Sequence, residues 1–183
     1  FYREKSADTN LVLDGQARQR IAESRILHVG TLLLATPVSA TAQREAVAHA
    51  REHGVAISLD ANFRANFWRD RSSMIEAGRE MLQTASIVKL SREELVLLAG
   101  TEEMEAGARA LWHDGLLVMA VTDGANGAEL FARSERVPVA AFPVEAVDTI
   151  GCGDAFSASL LASLIEAGMQ VPSAEALHGI GRR

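Results

Sequence analysis

Val55-Ala-Ile-Ser-Leu-Asp60 is a short apolar run that stops on a carboxylate. A helical pattern from about Thr41 to His53 precedes it and another near Arg71 to Gln83 follows, so it reads as a buried strand between two helices. The same grammar extends both ways. Ile26-Leu-His-Val29, closed by Gly30, is a strand before the first helix, and Ser86 to Leu90 is a strand after the second. Ser39 or Thr41 is expected to cap the first helix, with Pro37 in the loop ahead of it, and Gly54 stands where a left-handed residue ends it. Downstream, Ser91-Arg-Glu-Glu94 has the spacing of a capping box, and a further helix is expected from about Glu102 to His113. A strand over Leu116 to Val121, a turn flanked by Gly124 and Gly127, antiparallel strands at Ala128 to Ala132 and Arg136 to Ala140, and a long helix from about Gly153 to Glu166 complete the pattern. Strands alternating with helices over short links predict one open α/β domain spanning residues 1–183, a mainly parallel sheet with helices on both faces.

Composition agrees with an ordinary globular domain. The 183 residues are 48% hydrophobic and 23% charged, and 18 basic against 24 acidic side chains give a net charge of -6. That balance argues against a nucleic-acid surface. Apolar runs such as Leu32 to Ala35 and Leu116 to Val121 fall far short of the roughly 20 residues of a spanning helix, so no membrane partner is expected. Cys152 is the one cysteine, which rules out an internal disulfide and suits a cytoplasmic setting. The chain opens on Phe1 and stops at Gly181-Arg-Arg183 inside a helical pattern, so both ends are expected to be internal to a longer parent.

In open parallel sheets ligands bind beyond the carboxyl ends of the strands. Polar residues collect there: Asp60, Asn62 and Arg64 after one strand, Lys89 and Ser91 after another, Thr122 and Asp123 after a third. Asp148-Thr-Ile-Gly-Cys-Gly-Asp154 then leads into the last long helix. Two glycines around one small residue let main-chain N–H groups face a concavity, and the helix dipole favours an anion there. A carboxylate beside an anion cradle is repulsive for mere binding. It suits phosphoryl transfer, where the carboxylate takes the proton of the attacking hydroxyl while the amides stabilise the transferred group. A plain turn followed by a favourable helix-start acid is the competing reading of the same residues.

Asp148-Thr-Ile-Gly-Cys-Gly-Asp154 resembles the Asp-Thr-x-Gly-Ala-Gly-Asp motif of ribokinase-like, PfkB-type carbohydrate kinases. Phe1-Tyr-Arg3 with Ser6-Ala-Asp8, His28-Val-Gly30, Asp60-Ala-Asn-Phe-Arg64 with Phe67-Trp68, Val88-Lys-Leu-Ser-Arg-Glu-Glu94 and Val121-Thr-Asp-Gly-Ala-Asn-Gly127 occur in that family's order. The set is most similar to fructokinase-type members. The resemblance implies a three-layer ribokinase-like fold, with the N-terminal units and most of the β lid outside this chain. It also implies ATP-dependent, Mg²⁺-assisted phosphorylation of a sugar hydroxyl. Fructose or a related ketose is the expected acceptor, 2-keto-3-deoxygluconate or another sugar acid the second reading, and a non-catalytic sugar-binding relative the third. A homodimer of the full-length parent is also implied.

By the same resemblance Asp154 is the catalytic base and Gly151, Cys152 and Gly153 form the anion hole, with Cys152 in place of the commoner Ala and acting through its backbone. Glu94 is implied to hold Mg²⁺ through water, against a reading in which Ser91 and Glu94 only cap a helix. Lys89 and Ser91 are expected near the nucleotide, Lys89 alternatively reaching solvent, and Thr122, Gly124 and Gly127 on the nucleotide-side wall. Arg64 is expected to make forked contacts to phosphate or sugar oxygens, with Asp60 and Asn62 shaping its loop. Arg3 is implied in sugar binding and Asp148 in a K⁺-type monovalent cation loop.

Two other motifs compete. His49-Ala-Arg-Glu-His53 is a literal H-x-x-E-H, but the apolar face of its helix is Ala42, Ala46, Val47 and Ala50, which leaves both histidines on the polar side, where they read as a solvated surface. Gly151-Cys-Gly153 lacks the third glycine of a dinucleotide fingerprint, and no Gly-x-x-x-x-Gly-Lys-Ser/Thr occurs, which excludes a P-loop.

Overall fold

The computed structural model describes residues 6–133, 135–145 and 147–169, which fall into two compact units meeting between Ile87 and Val88. The first holds α1 (Gly15–Ala22), β1 (Ile26–Gly30), α2 (Pro37–Glu52), β2 (Ala56–Asp60) and α3 (Arg71–Leu82), and β3 (Ile87–Ser91) begins at its end. The second continues with α4 (Arg92–Ala99), α5 (Met104–Leu111), β4 (Val118–Thr122), β5 (Ala128–Ala132), β6 (Glu135–Val139) and α6 (Cys152–Glu166). The hydrogen-bonded order of the six-stranded sheet is β1-β2-β3-β4-β5-β6. β1 and β2 are parallel, with Ile26 opposite Ala56 and Gly30 opposite Asp60, whereas β4, β5 and β6 form an antiparallel meander. The mixed open α/β sheet expected from the sequence is what the chain builds.

β2 and β4 are buried along nearly their whole length, as continuous apolar runs require when both faces are covered. β6 instead alternates, burying Val137 alone, and it tolerates Pro138 because a strand at the end of the sheet has amides with no ladder partner to lose. In the first unit α1, α2 and α3 are linked through side chains: Arg18 pairs with Glu45 at 2.7 Å, and Arg44 makes a forked pair with Glu80 at 2.7 and 2.8 Å. The Gln43 amide of α2 donates to Gly30 O at the end of β1.

The start of α2 departs furthest from the sequence reading. α2 begins at Pro37, not near Thr41, and no side chain caps it. Proline has no N–H to leave unsatisfied and its φ already suits a helix, so it belongs at the first helical position rather than in the preceding loop. Neither expected cap acts as one. Ser39 is fully buried, donating to Asp8 O and accepting from Leu11 N, while Thr41 donates back to Pro37 O. Gly54 does adopt the expected left-handed conformation, with φ 70°.

Candidate functional site

The second unit contains a cavity of about 460 Å³, within the range of small-molecule sites. One wall is the β4–β5 turn with Thr122, Gly124, Gly127 and Leu130, another the chain leaving β6 through Phe142, and the third the first two turns of α6. The turn between β4 and β5 is held by the Asp123 amide donating to Gly127 O at 2.8 Å. Gly127 has φ 95° and ψ −139°, and a Cβ there would stand 2.1 Å from Val139 O. Only glycine lets these two backbones approach so closely, which brings the chain after β6 over the turn and closes the wall.

α6 starts on Gly151 in the left-handed region, φ 80°, with no side chain capping it. The Cys152 amide donates to Thr149 O at 3.2 Å and the Ala155 amide to Gly151 O at 2.9 Å. Asp154 lies in the first turn and is exposed, as is Cys152. The Lys89 side chain reaches this helix start: a Cβ on Gly153 would be 3.1 Å from Lys89 Nζ. Lys89 is thus directed at the glycine turn rather than away to solvent. A lysine side chain thus reaches the positive end of a 15-residue helix whose first turn carries Asp154.

At the carboxyl end of β3 both halves of the capping box are formed, Ser91 N donating to Glu94 Oε2 at 2.8 Å and Glu94 N to Ser91 Oγ at 3.2 Å. The neighbouring Glu93 carboxyl is held below the usual glutamate range by hydrogen bonds from its own backbone amide and from Ser91. Thr122 Oγ1 donates to Leu90 O at 3.4 Å, and Arg92 Nη1 pairs with Asp123 Oδ2 at 3.1 Å, so the ends of β3 and β4 are tied together. Asp148 accepts from the Ile150 amide at 2.9 Å and so shapes the loop before α6.

The structure therefore gathers Thr122, Gly124, Gly127, Cys152 and Gly153 around one cavity, with Lys89 against Gly153. Asp60, Asn62 and Arg64 belong to the first unit. Asp60 is buried, Asn62 takes a left-handed φ of 39°, and Arg64 is exposed where a short 3₁₀ turn begins. Arg3 lies outside the described residues. Sequence reasoning missed Phe142, Phe156, Ser159 and Leu160 on the cavity wall, and the Arg92–Asp123 pair. The apolar residues carry no chemical signal, although Phe156, one turn into a glycine-started helix, is where a ring can face a ligand above that turn.

A profile described as pfkB family carbohydrate kinase matches residues 1–177. Probable fructokinase-4 of Arabidopsis thaliana is 32% identical over 167 residues, covering 91% of this chain and 51% of that protein. The crystal structure of a PfkB protein from Polaromonas sp. JS666 is similar with a TM-score of 0.83 and 27% identity, over 98% of this chain and 58% of that one. Fructokinase from Vibrio cholerae O395, crystallised with fructose, ADP and calcium ion, is similar with a TM-score of 0.71 and 34% identity, over 76% of this chain and 45% of that one. The chain spans about half the length of the curated relatives it matches.

Proposed function

The chain belongs to the pfkB family of carbohydrate kinases, and from that premise we propose that it carries the phosphoryl-transfer machinery of an ATP-dependent sugar kinase, with fructose or a related ketose as acceptor. The observation that carries this reading is the start of α6, where Lys89 Nζ reaches Gly153 on the wall of an apolar cavity and Asp154 stands in the first turn of the same helix. Each part has a task. The cavity between the β4–β5 turn and α6 has the size and apolar lining for a nucleotide base, with glycine walls that admit close contact. Lys89 and the helix start counter phosphate charge, and Gly151 and Gly153 offer amides to the transferred group. The Cys152 amide joins them once its turn bond to Thr149 O is released.

In the transfer step the acceptor oxygen bonds to the γ-phosphorus of ATP, the bond to the ADP oxygen breaks, and the hydroxyl proton passes to Asp154. A divalent ion such as Mg²⁺, when bound, would supply charge neutralisation at the phosphates. Glu94 would hold it through water, since the capping box keeps its carboxyl group oriented at the end of β3. Asp148 orders the loop assigned to a monovalent cation such as K⁺. Arg64 and Arg3 are assigned to phosphate or sugar oxygens, and residues 1–183 act together as one α/β catalytic portion.

The test is a coupled assay on the complete gene product with fructose, other ketoses and 2-keto-3-deoxygluconate, alongside Asp154→Asn. The variant is expected to keep nucleotide affinity and to lose roughly 100-fold to 10,000-fold in turnover, the range for removing a positioned general base. Near-normal turnover would leave Asp154 as a helix-start acid only. Nucleotide and sugar binding without turnover in the parent would identify a binding relative instead.

A further inference from the structure

The last turn of α2 carries three metal-ligating side chains that phosphoryl transfer does not use. One ligand atom from each of His49, Glu52 and His53 lies within 4.8 Å of the other two. The helical repeat explains this, because residues three and four apart share a face. Their surroundings fix the imidazoles. His49 Nε2 stands 3.0 Å from Arg18 O, and His53 Nδ1 stands 2.8 Å from His49 O. A carbonyl oxygen only accepts, so each of these nitrogens carries a proton, which leaves His49 Nδ1 and His53 Nε2 as the nitrogens to offer a lone pair to a metal. A ring N–H donated to a backbone carbonyl is the outer-shell arrangement that fixes tautomer and orientation in a metal-binding histidine. The rings are adjacent, with centroids 4.2 Å apart.

We propose that His49, Glu52 and His53 form a binding site for a divalent transition-metal ion of the zinc class at the C-terminal end of α2. Two imidazoles and a carboxylate select such an ion over Mg²⁺, which separates this site from the phosphoryl-transfer chemistry. Tetrahedral zinc with bonds of about 2.0–2.1 Å wants ligand atoms about 3.3 Å apart, and rotation of the exposed Glu52 side chain toward the two held rings supplies the closure. Water completes the coordination on the exposed side. A cation there also meets the negative end of α2. Because the His49 ring is bonded to Arg18 O of α1, a bound ion clamps α1 onto α2, a structural task rather than a catalytic one. The two histidines that read as a solvated face in the sequence thus gain a third ligand from within their own motif.

Isothermal titration of the untagged, metal-free chain with ZnCl₂, in a Cys152→Ser background that removes the thiol, tests this directly. One equivalent of zinc should bind and raise the unfolding temperature, as any ligand specific for the folded state does. His49→Gln and His53→Gln should each weaken binding by at least about tenfold, the scale of losing a group that holds the metal. Circular dichroism reports whether each variant stays folded, and His53, exposed at the helix end, serves as the substitution least able to perturb the fold. No stoichiometric uptake by the parent, or equal affinity in folded His53→Gln, would overturn the site.

Discussion

Gly127 and Gly153 are glycines for different reasons, and the difference predicts opposite behaviour on substitution. Gly127 combines a positive φ with backbone 2.1 Å from where a Cβ would sit, so nothing nearby can yield without moving the chain after β6. Gly153 has no positive φ, and the atom it faces is the far end of the flexible Lys89 side chain at 3.1 Å. Gly127→Ala is therefore expected to cost roughly 1–3 kcal/mol or more of stability, the range for backbone held where an L-residue is strained. Gly153→Ala should leave the denaturant midpoint nearly unchanged while pushing the Lys89 ammonium away from the helix start, raising KM for ATP. Urea unfolding and steady-state kinetics on the same pair separate the two. A Gly153→Ala variant with unaltered KM would remove Lys89 from phosphate binding.

At the level of elements, α4 shows how one pair of residues can serve two ends. Ser91 and Glu94 satisfy two amides at the start of the helix, and a glutamine at position 94 can accept the same bond from Ser91 N. Glu94→Gln should then leave stability almost unchanged and raise the Mg²⁺ concentration for half-maximal rate. Unchanged Mg²⁺ dependence would return Glu94 to capping alone. This box was legible in the sequence because its partners are three residues apart, and the same locality made Gly54 and the alternation of strands and helices readable. The start of α2 was not, because Ser39 resembles a cap locally but is claimed by Asp8 and Leu11, a tertiary demand no short window contains. Lys89 against Gly153 and the aromatic cavity wall were hidden for the same reason: contacts between distant segments leave no local pattern. α3 carries a further consequence of capping. The Asp70 carboxyl is held below its ordinary range, first by the Ser73 backbone amide, and Glu80 is held low, first by its hydrogen bond with Arg44. A carboxyl depressed in the folded state contributes stability that is complete above its unfolded pKa and is lost as pH falls through the folded value. Urea midpoints should therefore fall as pH drops below the usual carboxylate range. Asp70→Asn, which keeps the cap and removes the titration, should flatten that fall.

On the scale of the whole molecule, the end strands of the sheet among the described residues bear on what the 183-residue chain can do unaided. β1 ends the strand order and buries only Val29, leaving Ile26 and Leu27 half-covered, whereas β2 buries four of its five residues. An edge strand with uncovered apolar side chains is a template for pairing with another chain. Phe142, Val144, Val147 and Ile150, all more than 70% exposed in the segment before α6, add apolar surface beside the proposed phosphate site. The curated relatives are longer than this chain, which spans about half of each, and phosphoryl transfer depends on holding the acceptor in line and excluding water, tasks for which a partly uncovered site is ill suited. The 183-residue chain is therefore expected to turn over sugar poorly and to self-associate, while still binding nucleotide through the cavity of its second unit. Size-exclusion chromatography, nucleotide titration and the coupled kinase assay, run on this chain and on the complete gene product, check the three parts separately. Full sugar-kinase activity from a monomeric 183-residue chain would mean that its own residues build the acceptor site.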